Sequence, residues 1–299
     1  MTRLVAFAAM ALVWGLTWMP MKLASAEVPP ILLAAVRFIL AGLCFFVWAL
    51  VARLPLRPVQ PGRLIVATLL ITVVCYAFVF WGVAHAPTGL AAIVNLSLIP
   101  VFTILVGAAA GEEAITGRRI AAIGLGIVGL VALFAERMGR VGDTAVVWGL
   151  ASVVVGTLGY ASGAVISRPL TRAMSPIVLA CYETFFGGLV LLPVSLAVEG
   201  FDPSHLLALT RGAPLFGLLF LVFGGSLTGF SIYLWLVRDW GPFRAGLYAF
   251  VSPAVAVAVG VIVQGEHFGP AEAVGMLVMF AATALVVRPE KALAAPAGR

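Results

Sequence analysis

The chain has 299 residues, of which 63% are hydrophobic and only 10% are charged, and its formal net charge is +6 at pH 7. A soluble protein of this size could not bury so many apolar side chains, so the composition excludes an ordinary globular domain in water. Basic chains can bind nucleic acid, but this one has neither a clustered basic face nor an RNA-type aromatic motif. We therefore expect no nucleic-acid partner.

The apolar residues occur in long uninterrupted blocks, and they do not alternate as in a membrane-spanning strand. Run 64–111 is too long for one span and breaks at "AHAPTG", which is typical of a turn. With this break the pattern predicts an all-α membrane protein with ten transmembrane helices, at 3–23, 29–52, 63–84, 88–110, 117–135, 144–167, 175–198, 212–237, 243–264 and 270–288.

Positively charged residues predict the orientation of these helices. Most Lys and Arg side chains fall on the side of the N-terminus, and in the opposite loops we find only Arg137, Arg140 and Arg211. Because positively charged loops stay in the cytoplasm, we expect both termini there. Arg3 would also suit a signal peptide, but the apolar run after it is about 18 residues long, and we expect it to remain as a helix in the bilayer.

The sequence shows no spacing typical of a metal site, a disulfide framework or a catalytic motif. The cysteines lie at unrelated spacings within predicted helices, and the histidines fall on three separate loops; these residues are Cys44, Cys75, Cys181, His85, His205 and His267. We therefore expect no metal, no cofactor and no enzymatic activity.

The fifth predicted helix contains G-x-G-x-x-G, formed by Gly124, Gly126 and Gly129, which is typical of a dinucleotide-binding turn. Such a turn needs a strand-helix-strand unit inside a sheet. Only a short charged loop at 136–143 separates this segment from the next predicted helix, so no sheet can form there. We interpret Ala122, Gly126 and Gly129 as a small-residue stripe that lets two helices approach closely.

The second half of the sequence repeats the first. Trp14 aligns with Tyr160 at an offset of 146 residues, and Pro100 aligns with Pro253 at an offset of 153. The repeat predicts two five-helix units and a cytoplasmic tail, at 1–138, 139–290 and 291–299. Because five is odd, the second unit must cross the membrane in the opposite sense, which is the inverted repeat of many secondary transporters.

Four segments carry a resemblance to a known family: "WGLTWMPMK", "VRFILAG", "APTGLAAIVNLSLIPVFTILVGAAAGEE" and, in the second half, "FRAGLYAFVSPAVAVAVGVIVQGE". They resemble the ten-helix EamA-type branch of the drug/metabolite transporter superfamily over roughly 3–288, and most of all its bacterial exporters of aromatic and other amino acids. The resemblance implies a basket of ten helices in the bacterial inner membrane. It also implies a central cavity, lined mainly by the first, third, fourth, sixth, eighth and ninth helices, and export of small metabolites.

Aromatic and polar side chains near the middle of the predicted helices are candidates for the cavity wall. Trp14 lies away from either interface, and its aligned partner Tyr160 occupies the equivalent place. A proline removes one backbone hydrogen bond from a helix, so we expect kinks at Pro100 and Pro253 with polar residues before them. The predicted substrate-binding residues are Trp14, Thr17, Trp18, Lys22, Tyr76, Phe80, Asn95, Ser97, Ile99, Tyr160, Phe230, Tyr233, Tyr248 and Ser252. The alternative for each is packing or a hydrogen bond between helices.

Three charged residues, Lys22, Arg37 and Glu183, lie furthest from an easy exit to water. A charge at the bilayer centre is unfavourable by about 2.5–3.5 kcal/mol, so each should face protein or water. Arg37 and Glu183 are aligned by the repeat, and they would pair with carbonyl groups, with each other or with water. Both are candidates for a charge or coupling role, and Glu183 could take up a coupling proton.

These observations predict a multi-pass transporter in the lipid bilayer that exports amino acids, or similar amphipathic metabolites, by alternating access. The alternative is a channel or facilitator for small solutes. An inverted repeat with proline-kinked helices favours the transporter, because a channel more often has a ring of identical filter residues from an oligomer. We expect a small-molecule substrate and a monomer or weak homo-oligomer.

Overall fold

The computed structural model describes residues 2–86, 88–134, 144–264 and 269–287. Within these ranges the regular structure is helical throughout. The predictions that fall outside them concern the tail at 291–299, the loop at 136–143 with Arg137 and Arg140, and His267.

The described chain contains ten long helical stretches, four of which are interrupted. We label them α1 (Thr2–Leu16 and Trp18–Ser25), α2 (Pro30–Val51), α3 (Pro61–Thr68, Leu69–Val74 and Cys75–His85), α4 (Thr88–Ala109), α5 (Gly117–Phe134), α6 (Thr144–Ala173), α7 (Pro176–Val198), α8 (Gly212–Phe220, Leu221–Phe230 and Ser231–Trp240), α9 (Pro242–Gly246, Leu247–Phe250 and Ser252–Gln264) and α10 (Pro270–Val287). A short helix, Pro203–Ala208, lies between α7 and α8. The predicted helices coincide with these stretches in order, and the largest difference is that α6 continues through Pro169 to Ala173.

Among the described residues, nine helices are long and apolar enough to cross a membrane. Helix α5 is not one of the nine, so the count of ten spans stays a prediction. Large apolar side chains are exposed on the outside of the bundle, for example Val47 and Trp48 on α2. Such a continuous apolar surface fits contact with lipid. The all-α membrane fold expected from the sequence is thereby confirmed.

Prolines explain the interruption of α1. Pro20 has no N–H group, and its ring would clash with the carbonyl group of Leu16 four residues earlier. The helix therefore breaks at Thr17, whose hydroxyl group donates to the Trp14 carbonyl oxygen at 2.6 Å. This break was not predicted, although Pro20 is visible in the sequence.

The two aligned prolines behave differently. Before Pro253 the chain of α9 tightens into a 3₁₀ helix at Leu247–Phe250, because the proline cannot donate to the carbonyl group of Ala249. Helix α4 runs through Pro100 without an interruption. The helix is thus interrupted before Pro253 and continuous at Pro100, and the two kinks expected from the sequence stay predictions.

The helices pack in pairs that recur between the two halves. Helix α2 packs along α7, and α5 packs along α10. Helix α1 packs on α8 and α9, and α6 packs in the same way on α3 and α4. Each contact recurs when every helix is exchanged for its equivalent in the other half, as expected for two copies of one five-helix unit. The division between 138 and 139 itself stays a prediction.

Small residues hold α5 close to its neighbours. A Cβ atom added at Gly129 would lie 2.8 Å from the carbonyl oxygen of Gly275, and one added at Gly126 would meet the ring of Phe250. Gly124, the first glycine of the G-x-G-x-x-G pattern, faces open space instead. Gly126 and Gly129 therefore belong to a packing face of α5, as the stripe interpretation predicts.

We expect Gly129→Ala to destabilise the protein by about 1–3 kcal/mol, because the added methyl group overlaps the backbone of α10, which cannot move without disturbing the helix pair. Gly124→Ala makes the same chemical change in the same helix without a clash and is the matched control. The measurement is the apparent unfolding temperature of each purified variant in detergent. Equal unfolding temperatures for the two variants would contradict the close approach of α5 and α10.

Candidate functional site

A cavity of about 190 Å³ lies between the helices. Its wall comes from α1, α3, α4, α6, α8 and α9, as the family resemblance implies, and additionally from α2 and α7. The lining residues are Trp14, Thr17, Met21, Arg37, Phe38, Ile71, Thr72, Cys75, Tyr76, Val79, Phe80, Asn95, Leu96, Ile99, Tyr160, Thr184, Gly225, Ser226, Phe230, Tyr248 and Ser252.

The structure brings most of the predicted site residues to this cavity. Those that line it are Trp14, Thr17, Arg37, Tyr76, Phe80, Asn95, Ile99, Tyr160, Phe230, Tyr248 and Ser252. Trp14 and Tyr160 therefore share one cavity, as expected from their aligned positions. Whether these residues bind a substrate stays a prediction.

Other predicted residues lie elsewhere. Lys22 is exposed, because it follows the cavity-lining Met21 by one residue and so points about 100° away around the helix. Ser97 is buried on a different face of α4 from the lining residues, and Tyr233 lies one helical turn beyond Phe230. These three residues are not part of the wall. The side chain of Trp18 lies outside the described part of the structure.

Five aromatic rings cluster at one end of the cavity, and we call them the aromatic floor: Trp14, Tyr160, Phe230 and Tyr248, which line the cavity, and Tyr233, which packs behind them. The Trp14 ring meets Tyr248 edge-on at 4.4 Å between centroids and lies 5.4 Å from Tyr233. The Tyr248 hydroxyl group donates to the Tyr160 hydroxyl oxygen at 3.1 Å. Edge-on and offset ring pairs of this kind add stability beyond area burial, so the floor forms a rigid, mostly apolar surface.

Two π-helical segments flank the cavity at equivalent places in the two halves, Leu69–Val74 in α3 and Leu221–Phe230 in α8. In such a segment the backbone hydrogen bonds run to the fifth residue instead of the fourth, which widens the helix and is frequent at functional sites. The Gly225 carbonyl oxygen in the second segment accepts from the indole Nε1 of Trp14 at 2.8 Å. The sequence did not predict these segments, and in α8 the only visible signal is a pair of adjacent glycines.

Most hydroxyl groups in the wall already have partners in the protein. The side chains of Thr17, Thr72 and Thr184 donate to the carbonyl oxygens of Trp14, Glu183 and Ala180, respectively. The side-chain oxygen of Asn95 accepts from the hydroxyl group of Thr157 at 2.8 Å. Among the described residues, the buried hydroxyl group of Ser226 has no partner.

Arg37 enters the cavity from α2. Its Nη2 atom donates to the Tyr76 hydroxyl oxygen at 3.1 Å, and its guanidinium carbon lies 4.4 Å from the ring centroid of Phe38. Cation–π contact with such rings stabilises a charge that has left water. Its Nε atom is buried and has no hydrogen-bond partner among the described residues.

Glu183, the residue aligned with Arg37, does not reach the cavity. Its side chain is fully buried, and its Oε1 atom accepts from the Ser167 hydroxyl group of α6 at 2.5 Å. The expected pairing of Arg37 with Glu183 is therefore not formed in this structure. Thr184, the next residue along α7, lines the cavity instead.

Beyond the aromatic floor, ion pairs tie several helix ends together. We call this set the ion-pair cluster, and its members are Glu112, Glu113, Arg119, Arg168 and Arg172. Glu113 is nearly buried and accepts from Arg119 at 2.7 Å, while Arg168 lies 3.1 Å from the Glu112 carboxylate. The other carboxylate oxygen of Glu113 accepts from the backbone N–H group of Phe243, the second residue of α9, at 3.3 Å. The cluster thus joins the loop after α4 to the start of α5, the end of α6 and the start of α9.

Comparison with known proteins places this architecture in a family. Residues 1–135 and 147–288 match the model of the EamA-like transporter family. A protein of known crystal structure shares the fold with a TM-score of 0.81, at 18% sequence identity and with 96% of both chains covered.

Relatives of known name are similar along most of the chain. It is 26% identical over 297 residues to the uncharacterized inner membrane transporter YedA of Escherichia coli K12, covering 96% of this chain and 93% of that protein. It is 26% identical over 277 residues to a Salmonella typhimurium protein named probable amino-acid metabolite efflux pump, covering 90% and 89%. A probable terminal-alkyne amino-acid exporter of Streptantibioticus cattleyicolor is 30% identical over 211 residues, covering 70% and 67%. The chain therefore belongs to the EamA-like transporter family of the drug/metabolite transporter superfamily, and it is a multi-pass inner-membrane transporter and not an enzyme.

Proposed function

We propose that this transporter exports amino acids, or similar amphipathic metabolites, from the cytoplasm by alternating access. The observation that carries the proposal is the cavity itself, in which an aromatic floor faces a small number of polar groups. Pockets of this kind suit a solute with an apolar body and a polar end. Two of the relatives are named for amino-acid export, which supports the same class of solute.

The positions of the lining residues support a two-state mechanism. The cavity occupies the half of the bundle that holds the second part of α1 and the start of α2. The ion-pair cluster lies at the opposite end, which the sequence predicts to be cytoplasmic. In our proposal the structure corresponds to the state that faces away from the cytoplasm, and the cluster separates when the other state forms. Inverted repeats give such a pair of states naturally, because each half can adopt the arrangement of the other.

A channel is the alternative, and the packing of the floor argues against it. A pore needs a continuous water path, whereas Tyr233 is fully buried among Trp14, Tyr160 and Tyr248. Beyond it Thr103 is also fully buried. This arrangement favours a carrier that opens to one side at a time.

The direct test is counterflow in proteoliposomes with labelled phenylalanine, leucine and N-acetylphenylalanine, so that amino acids and a related amphipathic metabolite are both represented. A carrier exchanges faster when substrate is present on both sides, whereas a pore does not, so we expect trans-acceleration. Trp14→Ala and Tyr160→Ala should lower the rate about tenfold or more, because each removes an aromatic contact from the cavity. Trp48→Ala, on the lipid-exposed face of α2, is the control and should leave the rate unchanged. Absence of counterflow with every amino acid and amphipathic metabolite tested would contradict the proposal.

Breaking the ion-pair cluster should favour the cytoplasm-facing state. In Glu113→Gln the nearly buried partner of Arg119 loses its charge, and a shift of about 1.4 kcal/mol would change the ratio of the two states tenfold. Asp239→Asn, which removes the more exposed pair with Arg3, is the matched control.

The measurement uses Thr103→Cys in a protein whose three native cysteines are replaced by serine. Residue 103 lies one helical turn beyond Ile99 of the cavity wall, toward the cluster. An impermeant thiol reagent added on the cluster side should label Cys at this position faster in the Glu113→Gln background than with Asp239→Asn. Equal labelling in both backgrounds would show that the cluster does not hold this end closed.

A further inference from the structure

The charges around the cavity are unbalanced. Of the residues that line it, all of which the structure describes, Arg37 alone is charged. Within the described chain its guanidinium group has no carboxylate partner, and its hydrogen bond goes to a neutral phenol, that of Tyr76. Glu183, which the internal repeat aligns with Arg37, is hydrogen-bonded to Ser167 and does not pair with the guanidinium group. The cavity therefore presents a positive charge to whatever occupies it.

Some polar groups beside the cavity also lack a partner in the protein, and they include donors. The Nε–H of Arg37 and the hydroxyl group of Ser226 are buried without partners in the described chain. The side-chain oxygen of Asn95 is taken by Thr157, so its NH₂ group is the end that remains. A buried donor without a partner is unfavourable by about 1–3 kcal/mol, so a ligand that accepts from these groups is strongly favoured.

The charged surface of the cavity and its uncharged aromatic surface come from different helices. Arg37 lies with Phe38, Tyr76 and Phe80, whose rings form a second aromatic group on α2 and α3. The aromatic floor is built instead from α1, α6, α8 and α9. A solute that spans the cavity thus meets a cation at one place and an uncharged aromatic surface at the other.

From this distribution we infer that the solute carried is an organic monoanion, with a carboxylate bound by Arg37 and an apolar or aromatic body that carries no free ammonium group. N-acylated amino acids and aryl carboxylates are the matching chemical class. The inference rests on the proposed function and narrows it, since it selects among amphipathic metabolites by charge.

A zwitterionic amino acid fits less well for a physical reason. Its ammonium group would enter a site of low polarity in which no described lining residue is an anion, and a charge that leaves water without a partner is disfavoured. A carboxylate on Arg37 instead gains a charge-assisted hydrogen bond, of the kind that is about twice as strong as a neutral one. Acylation of the amino group removes the unpaired ammonium charge and keeps the hydrogen bond between the carboxylate and Arg37.

The test compares three molecules that share one side chain: N-acetylphenylalanine, phenylalanine and phenylalanine amide. Their binding to the detergent-purified full-length protein is measured by calorimetry, and their flux is measured in proteoliposomes. We expect N-acetylphenylalanine to bind about tenfold or more tightly than phenylalanine amide. Arg37→Gln should abolish this preference, and Arg37→Lys should keep part of it. Arg211→Gln removes an exposed cation that does not line the cavity and is the matched control, which should leave the preference intact.

A second measurement reads the charge of the cavity without any substrate. Cys75 lines the cavity, so a protein with Cys44→Ser and Cys181→Ser carries a single reporter thiol there. We compare its rates with two small methanethiosulfonate reagents, one anionic and one cationic, each normalised to its rate with a free thiol in solution. The anionic reagent should react faster at Cys75, and Arg37→Gln should remove the difference.

The outcomes separate this inference from the proposed function. Equal binding of the anion and the amide, no binding of N-acetylphenylalanine, or an Arg37→Gln variant that keeps the anion preference would each overturn the monoanion assignment. Preferential binding of the anion with no flux of any solute would overturn the transport proposal and leave the charge assignment standing. An adequate fold of each variant is checked by its unfolding temperature, so that loss of binding is not mistaken for loss of structure.

Discussion

Backbone N–H and C=O groups that leave the α-helical pattern inside a membrane must be bonded by the protein, because lipid offers them no partner. Within the described residues the chain leaves this pattern in four helices, and all four places lie at the cavity. They are the break of α1 at Thr17, the π-helical segments of α3 and α8, and the 3₁₀ segment of α9. Each of these departures from regular helical geometry borders the cavity.

The partners at these places are the same side chains that form the site. Thr17 bonds back to the Trp14 carbonyl oxygen, and the Trp14 indole reaches the Gly225 carbonyl oxygen of α8. Thr72 bonds to the backbone of Glu183 on α7. Irregular backbone and cavity wall therefore stabilise each other, and a mutation in one is expected to disturb the other. Away from the cavity, glycine-mediated contacts such as Gly129 on Gly275 hold helix pairs together.

Sequence reasoning recovered the helices and much of the cavity wall because both depend on local pattern. Apolar length predicts spans, and mid-helix position combined with the repeat points to Trp14 and Tyr160. It also named Lys22 and Ser97 as substrate-binding residues; neither lines the cavity of this structure, and their role in binding stays a prediction. Pro20 marks a possible break in α1, but a proline alone does not decide it, since α4 runs through Pro100 without an interruption.

The remaining features depend on contacts between residues far apart in sequence. Trp14 and Gly225 are separated by 211 residues, and Glu113 and the start of α9 by 130. Hydrophobic periodicity does not show which residues form such pairs. The internal repeat shows which positions are equivalent, but it does not show which residues are in contact. The π-helical segments could not be predicted either, because their sequences are as apolar as the regular turns on either side.

The aligned pair Arg37 and Glu183 shows how far the two halves have diverged. The two positions are equivalent by the repeat and lie on α2 and α7, which pack against each other. Yet Arg37 faces the cavity with aromatic neighbours, while Glu183 is bonded to Ser167 inside the protein. If both faced the cavity, their charges would cancel and the site would suit a neutral or zwitterionic solute. Because only one does, the symmetric scaffold that permits two states carries an asymmetric site, and the asymmetry is what gives the cavity a preferred charge.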